Sequence, residues 1–529
     1  MRGFLGKGKI MYECPNCGGN LKFQISLQQL FCAHCDSRFD PYSVTKPTDA
    51  EDGDSFEANV FLCPQCGGEM VSGDNDAAAF CSYCGSANIL SSRISREKRP
   101  RFIIPFQKTK EDCKRAYGRK MRAAVFAPKE LKKPEFIDGF RGIYMPYWSY
   151  NVSQDGDVKL TGKKSRRRGD YVYTDHYDLT GRLEAGMEGY SHDAASAFYD
   201  DVSEALAPYD SRAMQEFTPS FLSGFYAETA DVDGELYREE AEALACDVTF
   251  EKLAAERAYR RYEIAEAGSP AKKRRALHTR SSGVDGAMFP VWFMAWRKDD
   301  MVAYATVNGQ TGKVAVDLPV DEGKFLLSSL LLAIPLFALL NLFLTLRPTV
   351  LLGCSMVLAL AAAILYDREL KAIYRKETRE EDVGLQAKNA GEKPPKKAGK
   401  GRSYGSLILK VELGCAAATA ICVAAAVNAS VLWLSVAVGM GVVCVKGRGR
   451  MRKLKKVKGG NGFLAAGIAV AIAAVTFCVR PVSDLWYYAG GLLLLLSVIF
   501  ILVDLIRNYN RLAMRRPPQF DKRGGDDVA

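Results

Sequence analysis

The sequence predicts a multidomain protein: two small cysteine-pinned β modules, a mixed α+β domain and an all-α helical bundle. Three observations support this fold class. Cysteine pairs recur in one register near the amino terminus, strand and helix signals mix in the middle of the chain, and long apolar stretches fill the carboxyl-terminal part. The chain has 529 residues, of which 48% are hydrophobic, so it can form several cores.

Eight cysteines form two blocks with the same internal spacing. Each block has two Cys-x-x-Cys pairs separated by fourteen residues, and the second block follows the first by 49 positions: Cys14, Cys17, Cys32 and Cys35, then Cys63, Cys66, Cys81 and Cys84. Four thiolates at this spacing are the ligand set of a closed tetrahedral zinc site. We therefore predict two β zinc ribbons, residues 10–46 and 60–92, each with one structural Zn²⁺ ion.

A disulfide framework is the alternative interpretation of paired cysteines. It requires an oxidising compartment, and residues 1–10 contain no apolar run long enough for a secretory signal. We therefore favour zinc. His34 lies inside one cysteine pair, but four cysteines already complete a tetrahedron, so His34 is predicted not to be a ligand.

The segment between the ribbons, residues 47–59, is predicted to be a flexible acidic linker because it combines acidic and small side chains. Each ribbon is expected to consist of short strands, such as residues 21–25, that fold only with metal bound. With this linker between them, the two ribbons are expected to move independently.

Residues 100–320 are predicted to form a mixed α/β domain. A helix is expected from Lys110 to Phe126 with Thr109 as its cap, and further helices are expected over 193–206 and 233–266. The strand signals cover 143–151, 171–183, 289–296, 301–308 and 313–316, with a turn from Asn308 to Gly312 before the last of these. Tyr144–Trp148 and Met288–Trp292 resemble each other, which indicates a repeated half.

Residues 325–503 contain six apolar stretches: 325–346, 349–366, 407–427, 429–445, 462–479 and 484–503. A helix of about 20 residues spans the roughly 30 Å hydrocarbon core of a bilayer, so these stretches predict a transmembrane bundle of about six helices. The pair over 407–445 also fits a re-entrant hairpin, because Lys410 and Glu412 lie near the start of its first stretch and its second stretch is short.

Basic residues are concentrated in the apolar half of the chain. Residues 1–324 carry 44 Lys and Arg against 48 Asp and Glu, whereas residues 325–529 carry 28 against 13. Most of this excess lies in the connections 367–406 and 446–461, which the positive-inside rule places in the cytoplasm. We therefore predict a multi-pass protein of the cell membrane with a cytoplasmic amino-terminal head and a cytoplasmic tail, residues 504–529.

Together these motifs resemble a family of bacterial membrane proteins that carry zinc ribbons of the transcription-factor-IIB type. The resemblance rests on the cysteine pairs, Ile103–Phe106, Ile143–Trp148, Asn308–Lys313 and the hydrophobic tail, and it covers nearly the whole chain. It implies zinc at the eight cysteines and a bacterial cell membrane, but no activity. Such proteins are sometimes labelled primosomal helicases by cysteine similarity, and this chain has no Gly-x-x-x-x-Gly-Lys-Ser/Thr loop for nucleotide phosphates.

No nucleotide-binding, hydrolase or protease motif is present, so we predict a protein that is not an enzyme and has no catalytic residues. His176 adjoins Asp175, but alternation along a strand places them on opposite faces, so a surface strand is favoured over a catalytic site. Two basic clusters, Lys163–Arg168 and Lys272–Arg275, can bind phosphate of lipid or nucleic acid, or remain solvated.

The favoured hypothesis is a membrane-anchored scaffold or interaction protein whose ribbon loops, 31–36 and 80–85, meet a protein partner at the cytoplasmic face of the bilayer. A membrane-tethered nucleic-acid-binding regulator is the first alternative, although residues 1–99 carry ten basic and twelve acidic side chains. A transporter with a zinc-ribbon regulatory head is the second. Transporters usually place ionisable residues near the bilayer midplane, and the centres of the six stretches lack them.

Overall fold

The computed structural model describes residues 12–44, 55–63, 69–72, 91–196, 198–264, 269–298, 301–316, 318–343, 347–378, 382–390, 429–453 and 461–513. These residues form a small amino-terminal sheet, a β-rich domain and a group of apolar helices. The architecture is therefore multidomain, with β structure before the helices, as the sequence predicts.

The small sheet has three antiparallel strands, β1 (Leu21–Gln24), β2 (Gln29–Cys32) and β3 (Arg38–Phe39). Its buried ring of Phe23 packs against Phe221 and Phe225, with centroids 5.3 and 6.5 Å apart. The backbone N–H of Phe23 donates to the carbonyl of Ser223 at 3.1 Å. This sheet therefore belongs to the core of the β-rich domain, whereas we had expected an independently moving ribbon.

The β-rich domain is built on one sheet of twelve strands. In chain order they are β4 (Ser55–Leu62), β5 (Glu69–Ser72), β6 (Ser91–Lys98), β7 (Phe102–Ile103), β8 (Arg141–Arg168), β9 (Tyr171–Asp193), β10 (Gln215–Glu216), β11 (Tyr226–Ala227), β12 (Glu263–Ile264), β13 (Thr279–Lys298), β14 (Met301–Asn308) and β15 (Val314–Val316). The main path of the sheet runs β10-β7-β13-β8-β11-β5-β4-β6.

Two boundaries differ from the sequence expectation. Strand β4 begins at Ser55, so residues 55–59 of the predicted linker are extended and paired with β6. Strand β5 and the end of β4, which fall within the second ribbon predicted over 60–92, join the sheet of the domain expected over 100–320, together with β6. They do so because β11 pairs with β5 on one side and with β8 on the other.

The longest strands form a hairpin that extends from the domain. Strands β8 and β9 pair from Tyr147 opposite Asp193 to Arg168 opposite Tyr171. Strand β13 also pairs with β8, but only from Arg141 to Gln154. The outer part of the hairpin is therefore covered by fewer neighbours, and its tip is exposed.

The two similar segments lie side by side in this sheet. Met145 stands opposite Phe289 in the antiparallel pair of β8 and β13. The indole N–H of Trp148 donates to the carbonyl of Val232, and that of Trp292 donates to the carbonyl of Lys108, both at 2.9 Å. Each tryptophan thus ties the centre of the sheet to a loop by the same type of contact.

The domain has five helices among the described residues: α1 (Lys110–Ala123), α2 (Pro134–Ile137), α3 (Asp200–Leu206), α4 (Arg238–Ala255) and α5 (Pro270–Ala276). The predicted cap of α1 is confirmed, since Thr109 accepts from the N–H of Asp112 and Asp112 accepts from the N–H of Thr109. Helices α3 and α4 are shorter than the predicted 193–206 and 233–266. Asp193 is instead the last residue of β9, where it pairs with Tyr147.

The carboxyl-terminal helices are α6 (Glu322–Phe343), α7 (Pro348–Thr378), α8 (Val383–Ala390), α9 (Ala429–Lys453), α10 (Asn461–Val479) and α11 (Leu485–Ala513). Within the described ranges, three segments are long and apolar enough to cross a membrane: Pro348–Arg375, Gly462–Val479 and Leu485–Asn510. The predicted stretch 407–427 lies outside the described residues. The described residues therefore contain three candidate membrane spans, and the predicted bundle of six stays a prediction.

Helices α7, α9, α10 and α11 pack around a shared apolar core that includes Met356, Tyr366 and Phe463. Their outer surfaces carry large apolar side chains, with Val438, Val475 and Leu492 each about 60% exposed. A water-soluble helical domain rarely exposes so much contiguous apolar surface, whereas lipid solvates it. This pattern is consistent with a membrane protein.

Polar contacts gather at one end of these helices. Arg450 pairs with Asp367, and Asn508 donates to the hydroxyl of Tyr366 at 2.9 Å. At the same end, Asn510 of α11 donates to the carbonyl of Val320, just before α6, at 2.6 Å. The β-rich domain therefore contacts the helices at the end that also holds Arg450 and Gly462, which lie at the two sides of the basic connection 446–461.

Candidate metal centre

The four thiols of the first cysteine block meet beside the small sheet. The sulfur atoms of Cys14, Cys17, Cys32 and Cys35 all lie within 4.8 Å of one another, and the Cys14–Cys35 and Cys17–Cys32 pairs are 3.5 Å apart. In a tetrahedral zinc site with bonds of about 2.3 Å, sulfur atoms are about 3.8 Å apart. Bonded disulfide sulfurs are about 2.0 Å apart. All four cysteines are free, so this geometry fits one tetrahedral metal ion and not two disulfides.

The backbone around the first cysteine pair makes room for the thiols. The N–H of Gly18, at a φ of +72°, donates to the carbonyl of Cys14 at 2.8 Å. A Cβ atom at Gly19 would lie 3.2 Å from the sulfur of Cys32 and 3.3 Å from that of Cys17. Glycine at these two positions therefore permits the tight turn and the close approach of the chain to the sulfur atoms.

The site is half buried. Cys14 and Cys32 lie in the core, whereas Cys17 and Cys35 are exposed. The sulfur of Cys35 lies 3.2 Å from the hydroxyl of Ser37, and Ser37 lowers the pKa of Cys35 to about 6 through its side chain and its backbone amide. The thiolate is the form that binds metal, so Ser37 favours the binding form. His34 is exposed and is not a member of this ligand group.

The second predicted set falls mostly outside the described residues. Cys63 follows strand β4 and is fully buried. Cys66, Cys81 and Cys84 lie outside the described residues. A second four-cysteine zinc site therefore stays a prediction.

A different group of metal-ligand side chains lies between β9 and α3. His192, Asp193 and Asp200 are all buried, and each brings one ligand atom within 4.8 Å of the others. Nδ1 of His192 is hydrogen-bonded to the backbone carbonyl of Asp193 at 3.3 Å and lies at the same distance from Oδ1 of Asp193, to which it makes no hydrogen bond. The His192 ring stacks on Tyr237 with centroids 3.5 Å apart. This group was not predicted, because its only local signal is a His-Asp pair seven residues before another aspartate.

Burial controls the protonation of this second group. Burial lowers the pKa of His192 to about 4, so its imidazole is neutral at pH 7. Burial, followed by repulsion from Asp200, raises the pKa of Asp193 well above its usual value. Asp382, which is 3% exposed and directly precedes α8, adds to this repulsion. Three buried carboxyl groups therefore lie close to one neutral imidazole.

The two basic clusters differ in their surroundings. In α5, Lys273 pairs with Asp247 at 2.9 Å and Arg274 with Glu242 at 2.7 Å, so these two cations are neutralised within the domain. Lys163–Arg168 instead forms the exposed tip of the β8–β9 hairpin. His176 is exposed on β9 opposite Lys163, in agreement with the surface strand that the sequence favoured.

Comparisons with known proteins give one bacterial relative. No family model matches the chain, and no solved structure matches it. The chain is similar to the uncharacterized protein YdjG of Bacillus subtilis (strain 168), with 29% identity over 320 residues. The match covers 60% of this chain and 92% of YdjG. The chain therefore resembles nearly the full length of a bacterial protein whose name states no activity.

Proposed function

We propose that this chain is a zinc-binding integral membrane protein that serves as a scaffold, with its interaction surface next to the metal. One observation carries the proposal. Two of the four cysteines, Cys14 and Cys32, are buried in the core of the β-rich domain, and that domain contacts the apolar helices through Val320 and Asn510. A metal in this place would stabilise a surface held at a constant position relative to the bilayer.

The junction with α6 supports a head at the cytoplasmic face. Phe126, just after α1, packs against Phe325 in the first turn of α6 with centroids 5.5 Å apart, and Lys324 donates to the carbonyl of Ala127 at 2.6 Å. Residues 114–133 around this junction contain eight Lys and Arg and one acidic residue. Basic side chains beside a membrane span favour the anionic cytoplasmic leaflet.

The proposed partner surface is the loop Ala33–Asp36, which follows the buried Cys32. All four of its residues are exposed, and the N–H of Asp36 donates to the carbonyl of Cys32 at 2.9 Å. The loop is therefore both accessible and fixed by the metal site.

We further propose six membrane crossings with both termini in the cytoplasm, and a place among the bacterial membrane proteins with transcription-factor-IIB-type ribbons. The six apolar stretches and the basic connections between them support the crossings, and the spacing of the cysteine pairs supports the place among the ribbon proteins.

The scaffold proposal is tested by crosslinking in intact bacterial membranes. A photoreactive amino acid replaces His34 in the full chain, and crosslinked products are compared between the parent and a Cys14→Ser, Cys17→Ser variant. We expect discrete protein adducts in the parent and their loss in the variant. A Cys246→Ser variant, which changes a buried cysteine outside the four-cysteine group, serves as the control and should retain the adducts. Equal adducts in all three chains would refute the loop as the partner surface.

The hairpin tip favours the nucleic-acid-binding regulator as a second candidate. Residues directly opposite each other in an antiparallel pair share a face. Arg166 stands opposite Tyr173 and Arg168 opposite Tyr171, so cations and exposed aromatic rings lie on one face. This combination suits stacking on bases between phosphate contacts.

Retention on single-stranded DNA at increasing salt tests this candidate with the full chain in detergent. Binding should weaken steeply with salt and be lost on Arg166→Glu and Arg168→Glu, but not on Lys272→Glu in α5. The hairpin would be eliminated as a nucleic-acid site if the parent is not retained on DNA, or if both Arg→Glu variants are retained as well as the parent.

A further inference from the structure

We propose that His192, Asp193 and Asp200 form a second metal site, which binds a divalent cation through one imidazole nitrogen and carboxylate oxygens. The three ligand atoms already lie within 4.8 Å of one another and are buried. A cation bound by three protein atoms at about 2.0–2.2 Å requires ligand separations of this order. This inference does not depend on the scaffold proposal.

The ligands are positioned by backbone pairing. His192 and Asp193 end strand β9, where Asp193 pairs with Tyr147 of β8. The loop that leads from β9 to Asp200 is held by Asp231, whose carboxylate accepts from the N–H and from the hydroxyl of Ser196, both at 2.7 Å. A sheet and a pinned loop therefore hold the donor atoms together without a bound ion, which lowers the cost of binding one.

Two buried polar atoms beside the cluster make no hydrogen bond to any part of the chain that the structure describes. They are Oδ1 of Asp193, in a residue 2% exposed, and the hydroxyl of Tyr237, in a residue 1% exposed. Such an unsatisfied buried group usually costs about 1–3 kcal/mol. A cation next to Oδ1 of Asp193 would satisfy this acceptor and offset the repulsion among the carboxyl groups.

The donor set selects the class of cation. One neutral imidazole with carboxylate oxygens suits Mn²⁺, Fe²⁺ or Zn²⁺, whereas the four thiols of the first centre select softer, thiolate-bound ions. An imidazole ring coordinates a metal through the lone pair of one of its nitrogens. The two centres should therefore differ in their preference for Mn²⁺.

The position of the site gives the cation a structural role. Asp200 accepts from the backbone N–H of Val383 at 2.9 Å, and Asp382 is buried beside the cluster. Val383 begins α8, which follows the candidate membrane helix α7 in the chain. A bound cation would thus fasten the β-rich domain to the segment that leaves the helices.

The test is metal binding by the full chain purified in detergent and stripped with chelator. Mn²⁺ is titrated and its free concentration is followed by electron paramagnetic resonance, while Zn²⁺ content is counted in parallel. We expect one Mn²⁺ per chain in the parent and a loss of affinity of about 100-fold in Asp193→Asn and Asp200→Asn, since losing a ligand costs at least as much as losing an outer-shell partner. Asp201→Asn, at an exposed position in the same helix, should bind like the parent.

Thermal unfolding shows whether a variant loses Mn²⁺ affinity only because it fails to fold. Mn²⁺ should raise the Tm of the parent by mass action and leave that of Asp200→Asn unchanged. A Cys14→Ser, Cys32→Ser variant should lose Zn²⁺ but keep its Mn²⁺. The proposal is refuted if the parent binds no stoichiometric Mn²⁺. It is also refuted if Asp193→Asn and Asp200→Asn bind Mn²⁺ with the same affinity as the parent.

Discussion

The two candidate metal-ligand groups of this protein differ in their exposure and in the signal that they leave in the sequence. Four cysteines come from two pairs in one small sheet and form a site that is half exposed. His192, Asp193 and Asp200 come from one stretch of nine residues and are wholly buried, with Tyr237 and the more distant Asp382 beside them. Two Cys-x-x-Cys pairs form a ligand pattern that the sequence shows directly, whereas a His-Asp pair and a later aspartate become a candidate site only when other parts of the chain bury them.

The largest expected effect is on the local site. Cys32→Ser replaces a fully buried ligand by a much weaker one, and structural zinc contributes about 10–16 kcal/mol of apparent binding energy in small domains. We expect loss of bound metal and unfolding of residues 12–44, measured by metal analysis and by proteolysis. The matched control is Cys246→Ser, whose buried sulfur contacts Thr279 instead. Metal retention in Cys32→Ser would show that the four thiols are not the ligands.

The next effect tests whether the cysteine site depends on the packing of the small sheet against the β-rich core. Phe23→Ala removes the ring that packs on Phe221 and Phe225, at an expected cost of about 3–5 kcal/mol of unfolding free energy. The Tm should fall while metal is retained, because the four ligands do not depend on this contact. Ile25→Ala, at a partly buried position in the turn that follows β1, should cost less. Loss of metal in Phe23→Ala would mean that the cysteine site requires the tertiary contact.

A smaller effect distinguishes satisfied from unsatisfied buried hydroxyls near the second group. Tyr150 donates to the carbonyl of Gly234 at 2.7 Å, so Tyr150→Phe should lose about 0.5–1.5 kcal/mol. The Tyr237 hydroxyl makes no such bond to the described residues, so Tyr237→Phe in metal-free protein should be neutral or stabilising. Denaturant unfolding measures both. A larger loss at Tyr237 than at Tyr150 would indicate a partner for the Tyr237 hydroxyl.

The smallest effect concerns a purely local feature, the cap of α1. The N–H and hydroxyl of Thr109 lower the pKa of Asp112, so its ionised form is favoured in the folded protein. Stabilisation is therefore present above the unfolded pKa of about 3.9 and is lost as the pH falls through the lower folded value. Asp112→Asn should cost about 0.5 kcal/mol at neutral pH. The cost should shrink as the pH falls below the unfolded pKa, and unfolding curves at pH 7 and pH 3 measure the change; a cost that is the same at both pH values would exclude the charge as its source.

Several elements could be predicted because neighbouring residues determine them. The Thr109 cap and strand Met301–Asn308 occur where the sequence placed them. The turn after that strand is also as predicted, with Gly312 at a φ of +79° and Asn308 accepting from the N–H of Gln310 at 2.8 Å. Each depends on a cap, an alternation or a turn that a few adjacent side chains specify.

Other elements could not be predicted because distant partners override local preference. The helix expected from residue 193 starts only at Asp200, since β8 extends β9 through Asp193. The first ribbon was expected to be independent, but its Phe23 packs with two rings more than 190 positions away. No local pattern identifies which aromatic ring will be its neighbour.

The sequence by itself determined the composition of the cysteine site and the apolar helices, because ligand spacing and segment length are properties of short stretches of chain. The tertiary structure alone decided that the small sheet packs into the β-rich core and that His192, Asp193 and Asp200 converge. The physical reason is that burial and electrostatic repulsion depend on which distant surfaces meet, and the chain specifies that only through the packing of the whole molecule.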